Sequence, residues 1–335
     1  MKLAKVKLTG VGAALPAQVL SNEDLAKFLD TSDAWIHSRT GIHQRHILEA
    51  DQRVTDLAIR AGKAALAQAQ VAPEQVDLIL LATSTPDDLF GSAPEVQAGL
   101  GANHAVAFDL SAACSGFIFA LVTAAQYLQT GTYRRVLVIA ADALSRTVDW
   151  SDRSICVLFG DGAGAVLLEA EDTDSEDGLL GFELRTDGTG ASLLRLEVDP
   201  SQASSPLEGL TMPRQAYQTM TMNGREVYRF VANAVPEVIE KALFRAGLSL
   251  DQVDHVILHQ ANQRIIEAVA QRLKVPPEKM VSHIATYGNT SAASIPIALA
   301  AEIEAGRIQR GATLVVAGFG AGLSWGAAVV RLGHL

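Results

Sequence analysis

Hydrophobic positions along this chain follow two rhythms. Short, nearly unbroken apolar runs, VDLILLAT (76–83), AVAFDL (105–110), RRVLVIAAD (134–142) and GAGAVLLEA (162–170), predict buried strands. KVKLTGVGAAL (5–15) predicts a further strand running into a turn. Between them, RVTDLAIRAGKAALAQA (53–69) and SGFIFALVTAAQYL (115–128) carry apolar residues at helical spacing. SNEDLAKFL (21–29) reads as a helix with Ser21 as its N-cap. The second half repeats the alternation. A helix over 226–247, kinked or broken at Pro236, precedes a strand at 253–259 and a helix from Asn262 to Leu273. A helix at 290–305 and strands at 312–318 and 325–332 follow. Apolar strands alternating with helices predict an α/β fold whose sheets are covered on both faces. The polar, Ser-rich stretch 186–209 reads as a surface excursion between halves.

The pattern is also duplicated. EQVDLILLAT (74–83) reads like DQVDHVILHQ (251–260), with Asp77 and Asp254 177 residues apart. GTYRRVLVIAA (131–141) reads like GRIQRGATLVVAG (306–318), with Gly131 and Gly306 175 apart. On these offsets Ala82 corresponds to His259, and Cys114 to Asn289. A repeat this long predicts two copies of one α/β unit, divided as 1–178 and 179–335, rather than a solenoid of short periods.

At 335 residues, with 49% hydrophobic and 19% charged positions, the chain can bury a core shared by both halves. A net charge of −10 argues against nucleic acid as a partner. No apolar run reaches membrane-spanning length, and the first residues do not read as a signal peptide. Two cysteines without an export signal read as thiols, so a soluble cytoplasmic protein is expected.

Cys114 follows a predicted buried strand and opens a helix, within DLSAACSGFIF. A helix N-terminus favours thiolate, and small neighbours leave room for a substrate; a buried structural cysteine fits the same position. Cys156, in ICVLFG, reads as structural. His259 ends a strand, where ligands of open α/β sheets gather, although a surface histidine also fits. Asn289, in YGNTSAAS, reads locally as a helix cap, and only the duplication sets it opposite Cys114. The other seven histidines (His37, His43, His46, His104, His255, His283 and His334) show no metal-ligand spacing, so no metal is expected. GDGAGA (160–165) and GFGAGLSWG (318–326) lack the P-loop ending and read as tight turns between strands rather than nucleotide cradles.

Together ACSGF, HQANQRI and GNTSAAS resemble the Cys-His-Asn set of the β-ketoacyl-acyl-carrier-protein synthase III family of condensing enzymes. The likeness runs from TSDAWIHSRTGI (31–42) through DRSICVLFGDGAGA (152–165) to the C-terminal GFGAGLSWGAAVVRL. It implies the thiolase-like five-layered αβαβα fold of two duplicated halves. Chain-elongating synthases have a second histidine where Asn289 stands, and degradative thiolases a second catalytic cysteine near the C-terminus.

The resemblance implies decarboxylative condensation of a short acyl-CoA, acetyl-CoA first among candidates, with malonyl-acyl-carrier protein to initiate type II fatty acid synthesis. Cys114 would carry the acyl group, and His259 and Asn289 would donate to the thioester oxygen. The backbone N–H groups of Cys114 and Ala321 would form an oxyanion hole, with Ala321 standing where the family has Gly. Trp35, Arg39, Thr40 and Arg153 would hold CoA, and Phe90 would close the acyl pocket across a homodimer. Gln260, Ala261, Asn262, Gln263, Arg264, Arg229 and Arg272 would dock the carrier protein, with the apolar face of helix 262–273 on Ile265, Ile266, Val269 and Leu273. CoA and carrier protein enter as substrates, and no cofactor is implied. Ordinary packing explains Trp35 and Phe90 equally well, and a solvated helix face the arginines. A polyketide-type or long-chain condensing enzyme, a Cys-His hydrolase and a non-catalytic binding paralogue stay open as alternatives.

Overall fold

A computed structural model describes residues 4–171, 177–199 and 217–333. The two halves build one sheet each, with the same topology. In the first sheet the order is Lys5–Ala14, Asp161–Glu171, Arg135–Ala143, Leu78–Ala82, Val106–Leu110. In the second it is Gly178–Thr186, Ser324–Arg331, Thr313–Gly320, His255–Leu258, Met280–Val281. In both sheets the first two pairings are antiparallel and the last two parallel.

The repeat reaches single hydrogen bonds. Asp77 accepts from the Arg135 N–H at 2.9 Å, and Asp254 accepts from the Thr313 N–H at 2.7 Å. Each carboxylate thus satisfies a main-chain donor where a central strand begins, fixing the register of neighbouring strands.

Strand alternation builds five layers. Leu78, Leu80, Val136 and Val138 face inward, meeting Phe117 and Leu121 of the helix Gly116–Gln129 and Ile295 and Ile297 of the helix Ser294–Glu304. From the other sheet, Ile257, Leu314, Val316, Ala328 and Val330 close the same central core. Ile79, Leu81, Leu137 and Ile139 face outward onto Leu57, Ala58, Ala61 and Ala65 of the helix Val54–Ala69. The outer face of the second sheet packs Val256, Leu258, Val315 and Val329 on the helices Gly224–Ala246 and Gln263–Leu273. With helices on both faces of both sheets, every residue of Leu78–Ala82 is buried. A smaller apolar cluster, including Ile36, Ile42, Leu144, Val157 and Phe159, caps the strand ends.

Several sequence expectations change. Pro236 does not interrupt its helix, which runs as one element from Gly224 to Ala246. Ser21 caps as expected, but the helix it starts spans only Asn22–Leu25. GDGAGA is not a tight turn. It lies at the start of the strand Asp161–Glu171, where Gly164 faces Pro296 and Ile297 of the central helix. The excursion over 186–209 is largely exposed in its described part, as expected, with Leu194–Arg195 pairing with Thr221–Met222; its part from 200 to 209 lies outside the described residues. Among the described residues, no helix is long and apolar enough to cross a membrane.

Helix Val54–Ala69 sits tightly on its sheet through Gly10 and Gly12. A Cβ at Gly12 would lie 2.4 Å from the Ala61 oxygen and the Ala65 nitrogen, both main-chain atoms that cannot turn aside. Gly12→Ala should therefore cost about 1–3 kcal/mol by overpacking, read as a lowered denaturant midpoint with unchanged m.

Candidate active site

The strand Val106–Leu110 leads into a single 3₁₀ turn, Ala113–Ser115, and then into the central helix Gly116–Gln129. Cys114 rides that turn. Ala113 before it holds φ +49°, a left-handed conformation uncommon outside glycine that turns the chain sharply from strand to helix. The second half builds the same corner: Ser291 holds φ +54° before the helix Ser294–Glu304. The two left-handed residues stand 178 apart, as do the starts of the two central helices. At this corner Cys114 therefore corresponds to Ala292. The offset of 175 belongs to the helix ends, because the second helix is three residues shorter, and the expected match of Cys114 with Asn289 is shifted accordingly.

Asn289 nevertheless reaches the same place. Its main chain is stitched to the capping segment, with its N–H donating to Leu158 O at 2.9 Å and its carbonyl accepting from Gly160 N–H at 3.0 Å. Its Oδ1 accepts from the Ser291 N–H at 2.9 Å, so the amide Nδ2 keeps its protons for another partner. His259 follows the strand His255–Leu258, anchored by its N–H to Ala317 O at 2.8 Å. Its Nδ1 lies 2.8 Å from Ser294 Oγ, and its ring meets Phe319 edge-on at 5.0 Å.

Cys114, His259 and Asn289 all line one cavity of about 830 Å³. They are 8%, 1% and 5% exposed, so the reactive end of the cavity is nearly dry. Gly320 completes it: a Cβ there would lie 2.7 Å from the Cys114 nitrogen, so only glycine lets this strand end approach so closely. Ala321, the expected second oxyanion amide, follows Gly320 and opens the next turn.

The exposed end of the cavity carries Trp35, Arg39, Arg153 and Arg264. The Arg39 and Arg153 guanidinium carbons sit 4.4 Å and 5.0 Å from the Trp35 ring centroid, within cation–π reach. Arg153 also donates to the main-chain oxygen and carboxylate of Asp30. Thr40 lines the cavity but is buried, and its hydroxyl is committed to Ile36 O and Ile42 N–H.

Electrostatically the site departs from expectation. A helix N-terminus should favour thiolate, yet burial pushes the Cys114 thiol up to about 11, with Asp142 raising it further and the Ser291 hydroxyl opposing this. Ser291 Oγ lies 3.4 Å from Sγ. Asp142, fully buried, is itself raised by burial; its Oδ1 accepts from Thr83, Ser84 N–H and Thr85. Burial drops His259 to about 3, against a small opposing contribution from the Ser291 main chain. The resting pair is therefore a thiol and a neutral imidazole. Cys156 is buried among the cap residues, as its structural reading expected.

Of the residues expected to dock a carrier protein, Arg264 and Arg272 are exposed, and the helix Gln263–Leu273 buries Ile265, Ile266, Val269 and Leu273 as its pattern required. Gln260 is a correction. It is 2% exposed, and its amide clamps Leu258 O, Val281 O and His283 N–H, so it presents nothing to a partner. Ala261 and Asn262 line the cavity, Asn262 capping the helix through Arg264 N–H; Gln263 bonds Glu267 and Ser282, and Arg229 pairs with Glu226 at 2.9 Å. Phe90, expected to close an acyl pocket across a homodimer, is 97% exposed and does not line the cavity of its own chain. The wall formed by Leu194, Met222, Arg225 and Tyr228 escaped sequence reading, because distant strand fragments must pair to assemble it. Ser291, Ser294 and Phe319 stand inside motifs already singled out, and Asp142 ends a predicted strand, but nothing in their spacing marks them.

His259 carries a pH signature. Between its ordinary 6.5 and about 3, the unfolded chain binds a proton that the folded chain refuses. Stability should fall on acidification across that window, by up to about 1.4 kcal/mol per pH unit from this group. Denaturation midpoints between pH 4 and 7 should show this slope, and His259→Gln should flatten it.

Residues 108–188 match the family model of 3-oxoacyl-[acyl-carrier-protein (ACP)] synthase III, and residues 243–332 match that of its C-terminal part. Cys114 falls in the first stretch, and His259 and Asn289 in the second. The chain is 56% identical over 331 residues to the β-ketoacyl-[acyl-carrier-protein] synthase III of Microcystis aeruginosa, covering 98% of each. It is 57% identical over 334 residues to the protein of the same name from Thermosynechococcus vestitus, covering 99% of each. Among solved structures, 3-oxoacyl-[acyl-carrier-protein] synthase III from Aquifex aeolicus aligns with a TM-score of 0.89 at 43% identity, covering 97% of this chain and 99% of that one. On this end-to-end identity, the chain belongs to the β-ketoacyl-[acyl-carrier-protein] synthase III family.

Proposed function

We propose that this protein condenses a short acyl-CoA, acetyl-CoA first among candidates, with malonyl-acyl-carrier protein to give 3-ketoacyl-acyl-carrier protein, the opening step of type II fatty acid synthesis. The observation that carries this reading is the convergence of Cys114, His259 and Asn289 at the buried end of one cavity whose outer end holds Trp35 against two arginines.

Cys114 Sγ attacks the thioester carbon, the carbon–sulfur bond to CoA breaks, and the thiol proton ends on the departing CoA sulfur. A thiol held near 11 is about one part in ten thousand thiolate at pH 7, so proton loss is coupled to attack rather than completed beforehand. Main-chain N–H groups of Cys114 and Ala321 receive the oxyanion. In the second half-reaction malonyl-carrier protein loses carbon dioxide, and charge gathers on its thioester oxygen. His259 and Asn289 Nδ2 donate to that oxygen; in a site closed to water such a donor contributes about 2.7–4 kcal/mol. The enolate carbon then attacks the acyl group and releases Cys114.

Trp35, Arg39 and Arg153 would take the CoA adenine and its phosphate groups, with Thr40 shaping the wall. The homodimer reading is supported by the edge strand Val106–Leu110, which leaves Val106 48% and Phe108 36% exposed, beside exposed Leu89 and Phe90. A second copy would cover this apolar edge and receive Phe90 in its acyl pocket. We divide the halves at 178/179, one residue into the edge strand Gly178–Thr186 of the second sheet, and assign the protein to the cytoplasm, where two free thiols stay reduced.

Mass spectrometry after exposure to acetyl-CoA should show one acetyl adduct, on Cys114, absent in Cys114→Ala. That variant should retain decarboxylation of malonyl-carrier protein. Asn289→Ala should lower decarboxylation about 10²–10³-fold while acetylation of Cys114 persists. An adduct on Cys156, or parallel loss of both half-reactions in Asn289→Ala, would overturn the assignment of roles.

Docking of the acidic carrier protein is assigned to Arg264 and Arg272. Reversing both charges should raise the KM for malonyl-carrier protein and leave acetylation by acetyl-CoA largely intact. Salt should weaken the carrier step more than the CoA step, because surface steering is screened over about 8–10 Å. An unchanged carrier KM would remove this helix as the docking surface.

A further inference from the structure

Ser294 is the first residue of the central helix Ser294–Glu304 and is 3% exposed. Its Oγ lies 2.8 Å from His259 Nδ1 and accepts the main-chain N–H of Gln260 at 3.1 Å. A hydroxyl has one proton and two lone pairs. The Gln260 N–H can only donate, so it occupies a lone pair and leaves the serine proton to be placed. The other partner found for this hydroxyl, among the described residues, is Nδ1. Leaving the proton unbonded in so buried a position would forfeit its hydrogen bond with no solvent to replace it. Nδ1 therefore accepts, and the neutral ring carries its single proton on Nε2.

We infer that Ser294 is a positioning residue that holds His259 in the Nε2–H tautomer, so that the imidazole meets a ligand oxygen as a hydrogen-bond donor. Gln260 fixes the serine in turn: its side chain is clamped to Leu258 O, Val281 O and His283 N–H, so its main-chain N–H cannot swing away. Phe319, edge-on to the ring at 5.0 Å, limits rotation of the imidazole. The inference rests on the reading that His259 donates to the malonyl thioester, but the tautomer itself can be measured without turnover.

The test uses the full chain with ¹⁵N-labelled histidine, and His259→Gln to assign the resonance. In the wild type, His259 should show a protonated Nε2 and an unprotonated Nδ1. Ser294→Ala should mix or reverse the tautomers, and Ser294→Thr, which keeps the hydroxyl, should restore them. Ser294→Ala should lower decarboxylation of malonyl-carrier protein about 10- to 100-fold, less than deletion of a contacting donor, with acetylation of Cys114 unchanged. Recovery in Ser294→Thr would support the inference. A wild-type His259 protonated on Nδ1 would overturn it whatever the variants do, as would a Ser294→Ala protein with unaltered tautomer and rate. If the tautomer is as stated but no acetyl adduct forms on Cys114, the proposed reaction fails and the role of Ser294 stands.

Discussion

The site depends on how closely two copies of one strand–turn–helix corner approach each other. Gly116 lies between the methyls of Ala82 and Ala292, where a Cβ would meet them at 3.3 and 3.6 Å. Gly318 lies against Ile118 and the Ser115 main chain, and Gly320 against Cys114 itself. Small residues at all these points let the central helices start within reach of the opposite sheet's strand ends. Interiors are close-packed, so a side chain added here would move the main chain carrying the nucleophile rather than fill a void. The duplicated architecture thus concentrates two helix starts and two sets of strand ends at one place, with no room for error in their separation.

That closeness also keeps the corner dry, and dryness sets its electrostatics. Burial penalises every charged form. It raises the Cys114 thiol and the Asp142 carboxyl and lowers the His259 imidazole, so all three favour neutrality. A neutral imidazole can donate one hydrogen bond without a counter-ion, which suits a step where negative charge appears on an oxygen and then disappears. Preformed donors in a low dielectric gain strength because no water must reorganise around them.

Much of this was legible in the sequence because the signals were periodic. Apolar runs placed the strands, helical spacing placed the buried face of Gln263–Leu273, and the EQVD and DQVD copies located equivalent strand starts. What failed depended on neighbours distant in sequence. GDGAGA looks like a turn until the central helix is seen pressing on Gly164. Pro236 was expected to kink or break a helix that runs unbroken against the second sheet. Counting from helix ends missed a helix three residues shorter, which shifted the match of Cys114. The helix N-terminus at Cys114 was correctly read, but the desolvation that pushes its thiol up is visible only from its burial.

Charge distribution links the dry corner to its surroundings. The chain is acidic as a whole, yet Arg39, Arg153, Arg225 and Arg264 gather around one cavity. They do not all act alike. Arg153 is engaged by Asp30, and both it and Arg39 lie over the ring of Trp35, forming one cationic–aromatic platform. Arg264 is exposed on the helix that Asn262 caps, one residue beyond Gln263. Asn262 also donates to Arg39 O at 3.1 Å, tying that helix to the platform. A pantetheine thioester entering between them would pass fixed positive charge at the surface and reach neutral donors at the bottom. Long-range attraction therefore acts where water still screens it, and short hydrogen bonds act where water is excluded. The same protein can be acidic overall and receptive to phosphorylated thioesters at this cavity, because each kind of interaction is used at the depth where it is effective.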